Sequence, residues 1–417
     1  MAYIIIGGKK YNSIKLDNII DSFPQNARCN FGIPNMNSGS KCCDLIVNCH
    51  VSKNLKRGNL SRYTSSVSKE HLVKVWNYYK GNKYRKCYVQ RENPFVHFYF
   101  NKYLKTINCP IQLRKNPRIG YEMIYNLLVS NNSHIYVTGF SLDEDNLSWY
   151  NNNLDNNHPL IHHDVVNEKL LLKWFHDTNK VDATMCLLVD KNLPTFNCIY
   201  FKPKLQVLRL FLKEYGICIL QNYFSKETVN NIDNDFDKIF EEQKALIDIL
   251  DKEDCSNDER IFHAERYGKN IKMFSDDPLF NSVARTYNVN FNKKTLINKI
   301  LFEEGKRKNS GAGWHRDNHV CQFKAIMYLS DVTEKNGNFQ FITNSSRKHI
   351  GYPKPRTENY NTRFADDTIE QLLKQKKNIK HDIIGKKGTV ILVDTTYIHR
   401  GNIIEEGERR AITQYFF

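Results

Sequence analysis

The sequence contains no long apolar run. None of its stretches approaches the roughly 18 consecutive apolar residues that a membrane-spanning helix requires, so we expect no membrane-embedded segment. The short run at residues 3–6 is followed by glycines and lysines and not by a signal-peptide cleavage site. The 11 cysteines have no regular spacing, which argues against a disulfide framework and against a cysteine-based zinc site. These absences predict a cytoplasmic protein with reduced thiols.

Acidic residues are too few to balance the basic ones, since 45 Asp and Glu face 61 Lys and Arg and the formal net charge is +16. Such an excess can indicate nucleic-acid binding, because cations near phosphates release bound counterions. The densest basic segment, residues 53–91, also interleaves aromatic residues, as surfaces that follow a nucleic-acid backbone do. The whole chain is rich in Lys, Asn, Ile and Tyr, however, so a solvated helix face is the preferred interpretation and nucleic acid is the less favoured partner.

The length and composition indicate two globular domains. A chain of 417 residues with 41% hydrophobic residues is long enough for two cores of ordinary size. Residues 191–204 contain two prolines in a polar and aromatic stretch, and the hydrophobic periodicity differs on its two sides. We therefore predict a first domain of residues 1–192, a linker of residues 193–204 and a second domain of residues 205–417.

Strand-like and helix-like segments alternate in the first domain. Apolar runs of strand length occur at residues 3–6, 44–48 and 135–140, and a helical pattern at residues 121–129 precedes the last of them. This alternation predicts an α/β domain with a doubly wound, Rossmann-like parallel sheet. Ligands of such sheets bind at the carboxyl ends of the strands. The informative residues at those predicted ends are Gly7, Gly8, Asn30, Asn48 and Gly139.

A predicted helix near residues 163–177 begins with a histidine and a glutamate five residues apart, His163 and Glu168. A histidine there could act as general base on a hydroxyl group, because its pKa lies near neutral pH. Together with residues 118–140, this pair resembles the short and very short motifs of the sialyltransferases, glycosyltransferase families 29 and 42. The resemblance implies that His163 and Glu168 are catalytic and that His163 deprotonates the acceptor hydroxyl. The adjacent His162 stays open as the base.

The same resemblance covers roughly residues 3–190 and implies a nucleotide-sugar donor. Asn30 and Asn48 fall where the family binds the cytidine nucleotide, and Gly7, Gly8 and Gly120 complete the predicted donor site. The expected donor is a CMP-sugar, and such enzymes need no metal ion for the transfer.

The strongest chemical signal of the second domain is a His-x-Asp pair, His315 and Asp317. Side chains two residues apart on a strand point the same way, so both could face one metal ion. A later strand-like run, residues 392–401, contains His399 and ends in a turn, and His399 would be the third ligand. Two histidines and one carboxylate form the facial triad of non-haem Fe(II) oxygenases, which leaves other positions open for a co-substrate and oxygen.

An arginine pair follows the last of these histidines. Arg410 lies eleven residues after His399, and its planar guanidinium could form a bidentate ion pair with a carboxylate of a dicarboxylate such as 2-oxoglutarate. Arg409 stays open as the alternative, because adjacent residues of a strand face opposite ways.

Residues 205–417 resemble the phytanoyl-CoA dioxygenase family of Fe(II)- and 2-oxoglutarate-dependent oxygenases. The stretches that carry the resemblance are residues 211–220, 314–317 and 327–332. The resemblance implies a double-stranded β-helix, or jelly roll, with Fe(II) held by His315, Asp317 and His399 and with 2-oxoglutarate held by Arg410. It also implies that hydroxylation of a C–H bond is coupled to the decarboxylation of 2-oxoglutarate to succinate.

The sequence thus predicts a bifunctional enzyme, a hydroxylase fused to a CMP-sugar-dependent glycosyltransferase that modifies a glycan, a lipid or a small metabolite. The alternative is a single-activity dioxygenase whose first domain is a degenerate substrate- or nucleotide-binding module, with nucleic-acid bases as a further substrate class. Two departures from the sialyltransferase pattern favour the alternative: lysines at residues 9–10 in place of Asn-Gly, and Ile119 in place of Ser or Thr before Gly120. The oligomeric state stays open.

Overall fold

The structure is a computed structural model that describes most, but not all, of the chain. The described residues are 2–7, 13–29, 44–48, 87–90, 96–115, 117–130, 134–140, 142, 165–189, 191–249, 258–287, 292–304, 313–317, 322–346 and 362–416, with only the backbone described at 44–48, 87–90, 96–97, 119, 165 and 248–249. The chain divides into two compact units. The first comprises Met1–Asn192 with Tyr200–Lys204, and the second comprises Leu193–Ile199 with Leu205–Phe417. The division falls in the predicted linker, whose residues are shared between the units.

The first unit is built from short strands and helices that alternate along the chain. Its strands are β1 (Ala2–Ile6), β2 (Gln25–Cys29), β3 (Asp44–Asn48), β4 (Cys87–Gln90), β5 (His134–Thr138) and β6 (Leu188–Val189). Its helices are α1 (Asp17–Asp21), α2 (Val96–Thr106), α3 (Ile119–Val129) and α4 (Val165–Asp177), followed by a 3-10 turn at Thr184–Leu187.

Five strands of the first unit form a parallel sheet in the order β4-β3-β2-β1-β5. The middle of β1 is fully buried between its neighbours, as its continuous apolar run predicts. The predicted parallel α/β sheet is therefore present. Neither β2 nor β4 was predicted. Strand β2 carries Asn26 and Arg28 in its interior and so lacks an apolar run.

The second unit is dominated by antiparallel strands. They are β7 (Thr195–Asn197), β8 (Ile217–Gln221), β9 (Asp248–Ile249), β10 (Asp258–Phe262), β11 (Lys293–Leu301), β12 (Phe323–Tyr328), β13 (Phe339–Ile342), β14 (Lys380–Ile383), β15 (Val390–Asp394), β16 (His399–Gly401) and β17 (Glu408–Phe416). The helices are α5 (Leu205–Tyr215), α6 (Lys226–Glu242), α7 (Lys269–Ser275), α8 (Pro278–Arg285) and α9 (Asp366–Leu373), with 3-10 turns at Lys244–Leu246 and Ala264–Arg266.

Two sheets of the second unit enclose its core. The large sheet has the order β7-β8-β15-β12-β17-β11-β10-β9, and the small sheet has the order β14-β13-β16. Side chains from alternate positions of both sheets meet between them in one apolar cluster, which includes Ile217, Ile219, Ile326, Tyr328, Phe339, Phe341, Ile383, Ile391 and Val393. This is the predicted jelly roll. We call the side of the large sheet that faces this cluster its inner face.

Helix α6 illustrates where the predicted boundaries were inexact. Its N-cap Ser225 accepts a hydrogen bond from the Thr228 backbone N–H, and its apolar stripe is buried. The sequence has an amphipathic pattern over residues 226–250, which predicts a helix of that length, but the helix ends at Glu242, where Gln243 leaves helical backbone geometry. A 3-10 turn and strand β9 follow. Among the helices that the structure describes, none combines the length and the apolar character needed to cross a membrane.

Candidate metal centre

Two distant chain segments are joined by backbone hydrogen bonds at the predicted triad. The N–H of His315 donates to the carbonyl oxygen of His399 over 3.0 Å, and the N–H of His399 donates back over 2.9 Å. The N–H of Asp317 donates to the carbonyl oxygen of Thr395 over 3.2 Å. The start of β16 is thereby fixed beside the His-x-Asp segment, which is how residues far apart in sequence come to share one site.

The three predicted ligands converge. His315 Nε2 lies 3.7 Å from Asp317 Oδ1, and His399 Nε2 lies 3.5 Å from Asp317 Oδ2. The two imidazole rings are 4.5 Å apart between centroids, and one ligand atom from each of the three residues lies within 4.8 Å of the others. Sequence spacing therefore identified a real cluster of possible ligands.

Backbone carbonyl groups orient both imidazoles. The Nδ1 of His315 lies 2.9 Å from the carbonyl oxygen of Gly313, and the Nδ1 of His399 lies 2.9 Å from that of Tyr397. A carbonyl oxygen can only accept, so each Nδ1 carries the proton and each Nε2 keeps its lone pair. Both rings thus present an unprotonated nitrogen towards Asp317, as metal ligands do.

The electrostatics keep these groups in the ligand form. Burial, together with the nearby His399, lowers the pKa of His315 to about 4, so this imidazole is neutral at physiological pH. Burial alone would raise the pKa of Asp317, but the ammonium of Lys324 and the neighbouring His399 together outweigh burial and hold that pKa well below its usual range. Lys324 Nζ lies 2.6 Å from Asp317 Oδ2.

The cluster fits a divalent metal ion. A metal about 2 Å from each ligand needs donor atoms about 3 Å apart, and the observed separations of 3.5 and 3.7 Å require only a small contraction. Two imidazole nitrogens and one carboxylate are the donor set of non-haem Fe(II) sites. The ring of Phe339 lies 5.3 Å from that of His399 and provides an apolar wall on the inner side.

The structure corrects the prediction for Arg410, whose side chain lies on the outer face of the large sheet. Its guanidinium forms ion pairs with Asp233 at 2.7 Å and Asp237 at 2.6 Å, both on α6. It also lies over the Phe236 ring, 4.5 Å from the centroid. The register of β17 turns this residue away from the side of the sheet on which the metal centre lies.

Arg409, the alternative, faces inwards. Ala411 pairs with Tyr328 of the core cluster, and residues two apart on a strand share a face, so Arg409 lies on the inner face. Its Nη1 donates to the carbonyl oxygen of Gly337 over 2.7 Å and its Nη2 to Asn298 Oδ1 over 2.9 Å. Burial lowers the pKa of this guanidinium. Within the described parts of the chain its buried Nε has no hydrogen-bond acceptor, and no carboxylate lies within ion-pair distance.

Lys324 was not predicted as a site residue, although the sequence marks it as unusual. Lysine is rarely buried, and this one interrupts an otherwise apolar strand at the same parity as Ile326 and Tyr328 of the core cluster. A charge at a core-facing position of a buried strand requires a counter-ion, which here is Asp317.

The predicted donor-site glycines of the first unit have structural roles. Gly7 and Gly139 follow adjacent strands β1 and β5, and a Cβ on Gly7 would lie 2.5 Å from the Gly139 carbonyl oxygen. A Cβ on Gly120 would lie 2.5 Å from the ring of Phe140. Asn48 ends β3, where only the backbone is described. The predicted residues Gly8, Asn30, His162 and His163 lie outside the described part of the chain.

Glu168 is a buried member of an ion pair. It is fully buried on α4, accepts a hydrogen bond from the Arg118 N–H over 2.6 Å, and forms a salt bridge with the Nε of the same arginine. Arg118 precedes the first residue of α3, so the pair joins α3 to α4. Its backbone and side-chain bonds assign Glu168 to holding these helices together, which corrects its predicted role as a catalytic group.

The comparison with protein families matches one part of the chain. Residues 212–410 match the model of the phytanoyl-CoA dioxygenase family. The matched residues do not include the first unit, whose likeness to sialyltransferases stays a prediction. No curated protein matches the chain.

Several solved structures are similar to about half of the chain. The alpha-ketoglutarate-dependent epimerase SnoN from nogalamycin biosynthesis is 12% identical, with 51% of this chain and 82% of that chain covered and a TM-score of 0.42. EctD from S. alaskensis with bound Fe is 19% identical, with coverages of 49% and 74% and a TM-score of 0.39. HygX from Streptomyces hygroscopicus is 15% identical, with coverages of 49% and 84% and a TM-score of 0.34. On the family match, residues 212–410 are a phytanoyl-CoA dioxygenase domain, and the activity is that of an Fe(II)- and 2-oxoglutarate-dependent dioxygenase.

Proposed function

We propose that the second unit hydroxylates a small molecule or a glycan, with Fe(II) held by His315, Asp317 and His399 and the far carboxylate of 2-oxoglutarate held by Arg409. Convergence of the three ligand atoms within 4.8 Å is the observation that carries the metal part of this proposal. Bound Fe(II), with 2-oxoglutarate and O2, supplies the oxidation of a C–H bond coupled to decarboxylation of the co-substrate to succinate.

The buried state of Arg409 supports its assignment to the co-substrate. A guanidinium removed from water is costly unless it is paired with an anion. Among the described residues, its two side-chain contacts are with the neutral oxygens of Gly337 and Asn298, and its Nε has no acceptor. A carboxylate brought by 2-oxoglutarate would supply the missing charge in a two-pronged geometry that arginine favours.

The chain's own residues position the reactants and exclude water. The carbonyl oxygens of Gly313 and Tyr397 keep both histidine rings in the orientation and tautomer that a metal needs. Asp317, His399 and Phe339 are mostly or fully buried, so few water molecules reach the ligands from the core side.

Succinate formation by anaerobically purified, Fe(II)-loaded protein after exposure to oxygen tests this proposal, because uncoupled turnover needs no primary substrate. We expect succinate from the wild type and none from Asp317→Ala or from Asp317→Asn, which preserves the side-chain volume. Binding of Fe(II) and 2-oxoglutarate should be measured calorimetrically in the same samples. If the wild type binds neither, or if both variants form succinate at the wild-type rate, the proposed site is wrong.

We further infer that the first unit binds a nucleotide-type donor, as a transferase or as a binding module. The order β4-β3-β2-β1-β5 reverses between β1 and β5, and parallel sheets bind ligands where the strand order reverses. Gly7 and Gly139 lie at the carboxyl ends of these two strands, where their two backbones contact each other closely. These observations support the site, whereas the identity of a CMP-sugar rests on the sequence resemblance alone.

A thermal-shift experiment with CMP and CDP tests nucleotide binding, because a ligand that binds only the folded state raises the melting temperature. A rise with CMP that AMP does not produce would support the donor site. Hydrolysis of a CMP-sugar, or its transfer to an added glycan, would then favour the transferase over the binding module. No shift with any nucleotide at millimolar concentration would contradict both.

A further inference from the structure

The carboxylate of the metal centre forms an ion pair with a buried lysine. Lys324 Nζ lies 2.6 Å from Asp317 Oδ2, one of the oxygens that a metal ion would use. The lysine is 8% exposed, and its Nζ lies over the Tyr415 ring, 4.3 Å from the centroid. Its ammonium group therefore has little access to water and depends on Asp317 for its counter-charge.

The position of Lys324 is fixed by the large sheet. On β12 it pairs with Val393 of β15 and with Tyr415 of β17, so it is held on both sides by hydrogen-bonded strands. Its parity places it on the inner face together with Ile326 and Tyr328. The side chain can rotate, but the backbone of Lys324 is fixed, so the ammonium group stays close to the metal centre.

Metal binding changes the charge balance at this point. In the metal-free site, one ammonium neutralises one carboxylate. A divalent ion held by the three ligands would share the Asp317 carboxylate and would add two positive charges beside the buried ammonium of Lys324. Repulsion between these like charges would disfavour binding of the metal alone. An anion that enters with the metal removes this conflict, and 2-oxoglutarate brings two carboxylates to the site.

We propose that Lys324 couples metal binding to co-substrate binding: it pairs with Asp317 in the metal-free site and transfers its pairing to an anion, the metal-side carboxylate of 2-oxoglutarate, when both ligands are bound. This inference rests on the proposed metal site and adds a residue to it. Lys324 lowers the affinity of the site for the metal alone and increases the enhancement of that affinity by 2-oxoglutarate. Removal of the lysine charge should therefore raise the affinity for the metal alone and reduce the enhancement by 2-oxoglutarate.

Anaerobic calorimetric titration of Fe(II), with and without saturating 2-oxoglutarate, measures this coupling without turnover. Lys324→Met removes the charge and preserves most of the apolar stem, while Lys324→Gln keeps a neutral hydrogen-bond donor for Asp317 in case the first variant does not fold. Lys299→Met is the matched control, because Lys299 lies on the outer face of β11, opposite Arg410. We expect both Lys324 variants to bind Fe(II) alone about tenfold more tightly and to lose about tenfold of the enhancement by 2-oxoglutarate, whereas the control behaves as the wild type.

Two results would overturn the inference while leaving the metal site intact. Weaker Fe(II) binding by both variants would show that Lys324 only positions Asp317. An unchanged enhancement by 2-oxoglutarate would show that the ammonium does not sense the co-substrate. Failure of the proposed function looks different, because then the wild type and Asp317→Ala would both fail to bind Fe(II).

Discussion

The two adjacent arginines of β17 should have separate roles, and their substitution provides the sharpest test of the strand register. Arg409 lies on the inner face without a carboxylate partner among the described residues, whereas Arg410 lies on the outer face between Asp233 and Asp237. We therefore expect Arg409→Met to weaken 2-oxoglutarate binding and Arg410→Met to weaken the fold.

The magnitudes follow from the contacts. A hydrogen bond to a charged group contributes about 1.5–3 kcal/mol, so losing a two-pronged arginine should raise the KM for 2-oxoglutarate by about 100-fold, which corresponds to about 3 kcal/mol. Arg410 and Asp233 are 15% and 13% exposed, but Asp237 is 59% exposed and its share is screened. Loss of Arg410 should therefore lower the free energy of unfolding by about 1–2 kcal/mol and leave the KM within about twofold.

Uncoupled succinate formation at graded 2-oxoglutarate concentrations gives the KM, and thermal unfolding of the same samples gives the stability. Arg409→Lys is the useful control, because it keeps the charge and loses only the planar fork, so its KM should lie between those of the wild type and Arg409→Met. A strong rise in the KM of Arg410→Met, together with an unchanged KM of Arg409→Met, would refute this strand register.

Three further predictions concern stability. Burial holds the pKa of His315 at about 4, below the ordinary value of 6.5, so the unfolded state takes up the proton first and the metal-free protein should lose about 2 kcal/mol of unfolding free energy between pH 7 and pH 5. Chemical denaturation across that range checks this, and an equal loss in His315→Gln would contradict it. Glu168→Gln should lower the free energy of unfolding of the first unit by about 3 kcal/mol in thermal unfolding, because Arg118 loses a buried charged partner. An unchanged melting temperature together with lost nucleotide binding would instead indicate that Glu168 binds a ligand. Gly216→Ala should cost about 1–3 kcal/mol in thermal unfolding, since φ is +76° and the added Cβ would lie 2.4 Å from the Tyr397 ring; a wild-type melting temperature would contradict it.

The metal ligands could be predicted from the sequence because each depends on local geometry. His315 and Asp317 share a face through the two-residue repeat of extended chain, and His399 begins a strand that follows a strong apolar run. Their convergence required only that the strand carrying His399 lie beside the His-x-Asp segment. The strands β8, β12 and β15 were predictable for a similar reason, since burial on both sides gives apolar runs, which in β12 only Lys324 interrupts.

Contacts between polar side chains could not be predicted in this way. The pair of Arg118 and Glu168 joins residues fifty positions apart, and no periodicity marks either of them as buried. Lys324 and Asp317 are close in sequence but belong to different segments, and only the folded sheet shows that they touch. The partners of charged residues at core-facing strand positions are therefore the contacts that sequence patterns predict least well.

The choice between Arg409 and Arg410 shows why counting residues from His399 is insufficient. The face of each arginine depends on how β17 pairs with its neighbours, and a shift of one residue would exchange the two. Contacts on the outer face hold this register: Gln414 accepts a hydrogen bond from the Thr295 hydroxyl over 2.7 Å, Phe416 stacks on Phe323, and Arg410 forms its ion pairs with α6. A one-residue shift would break all of these contacts together. Arg410 thus contributes to the stability of the register that places Arg409 on the inner face, and it takes no part in binding the co-substrate itself.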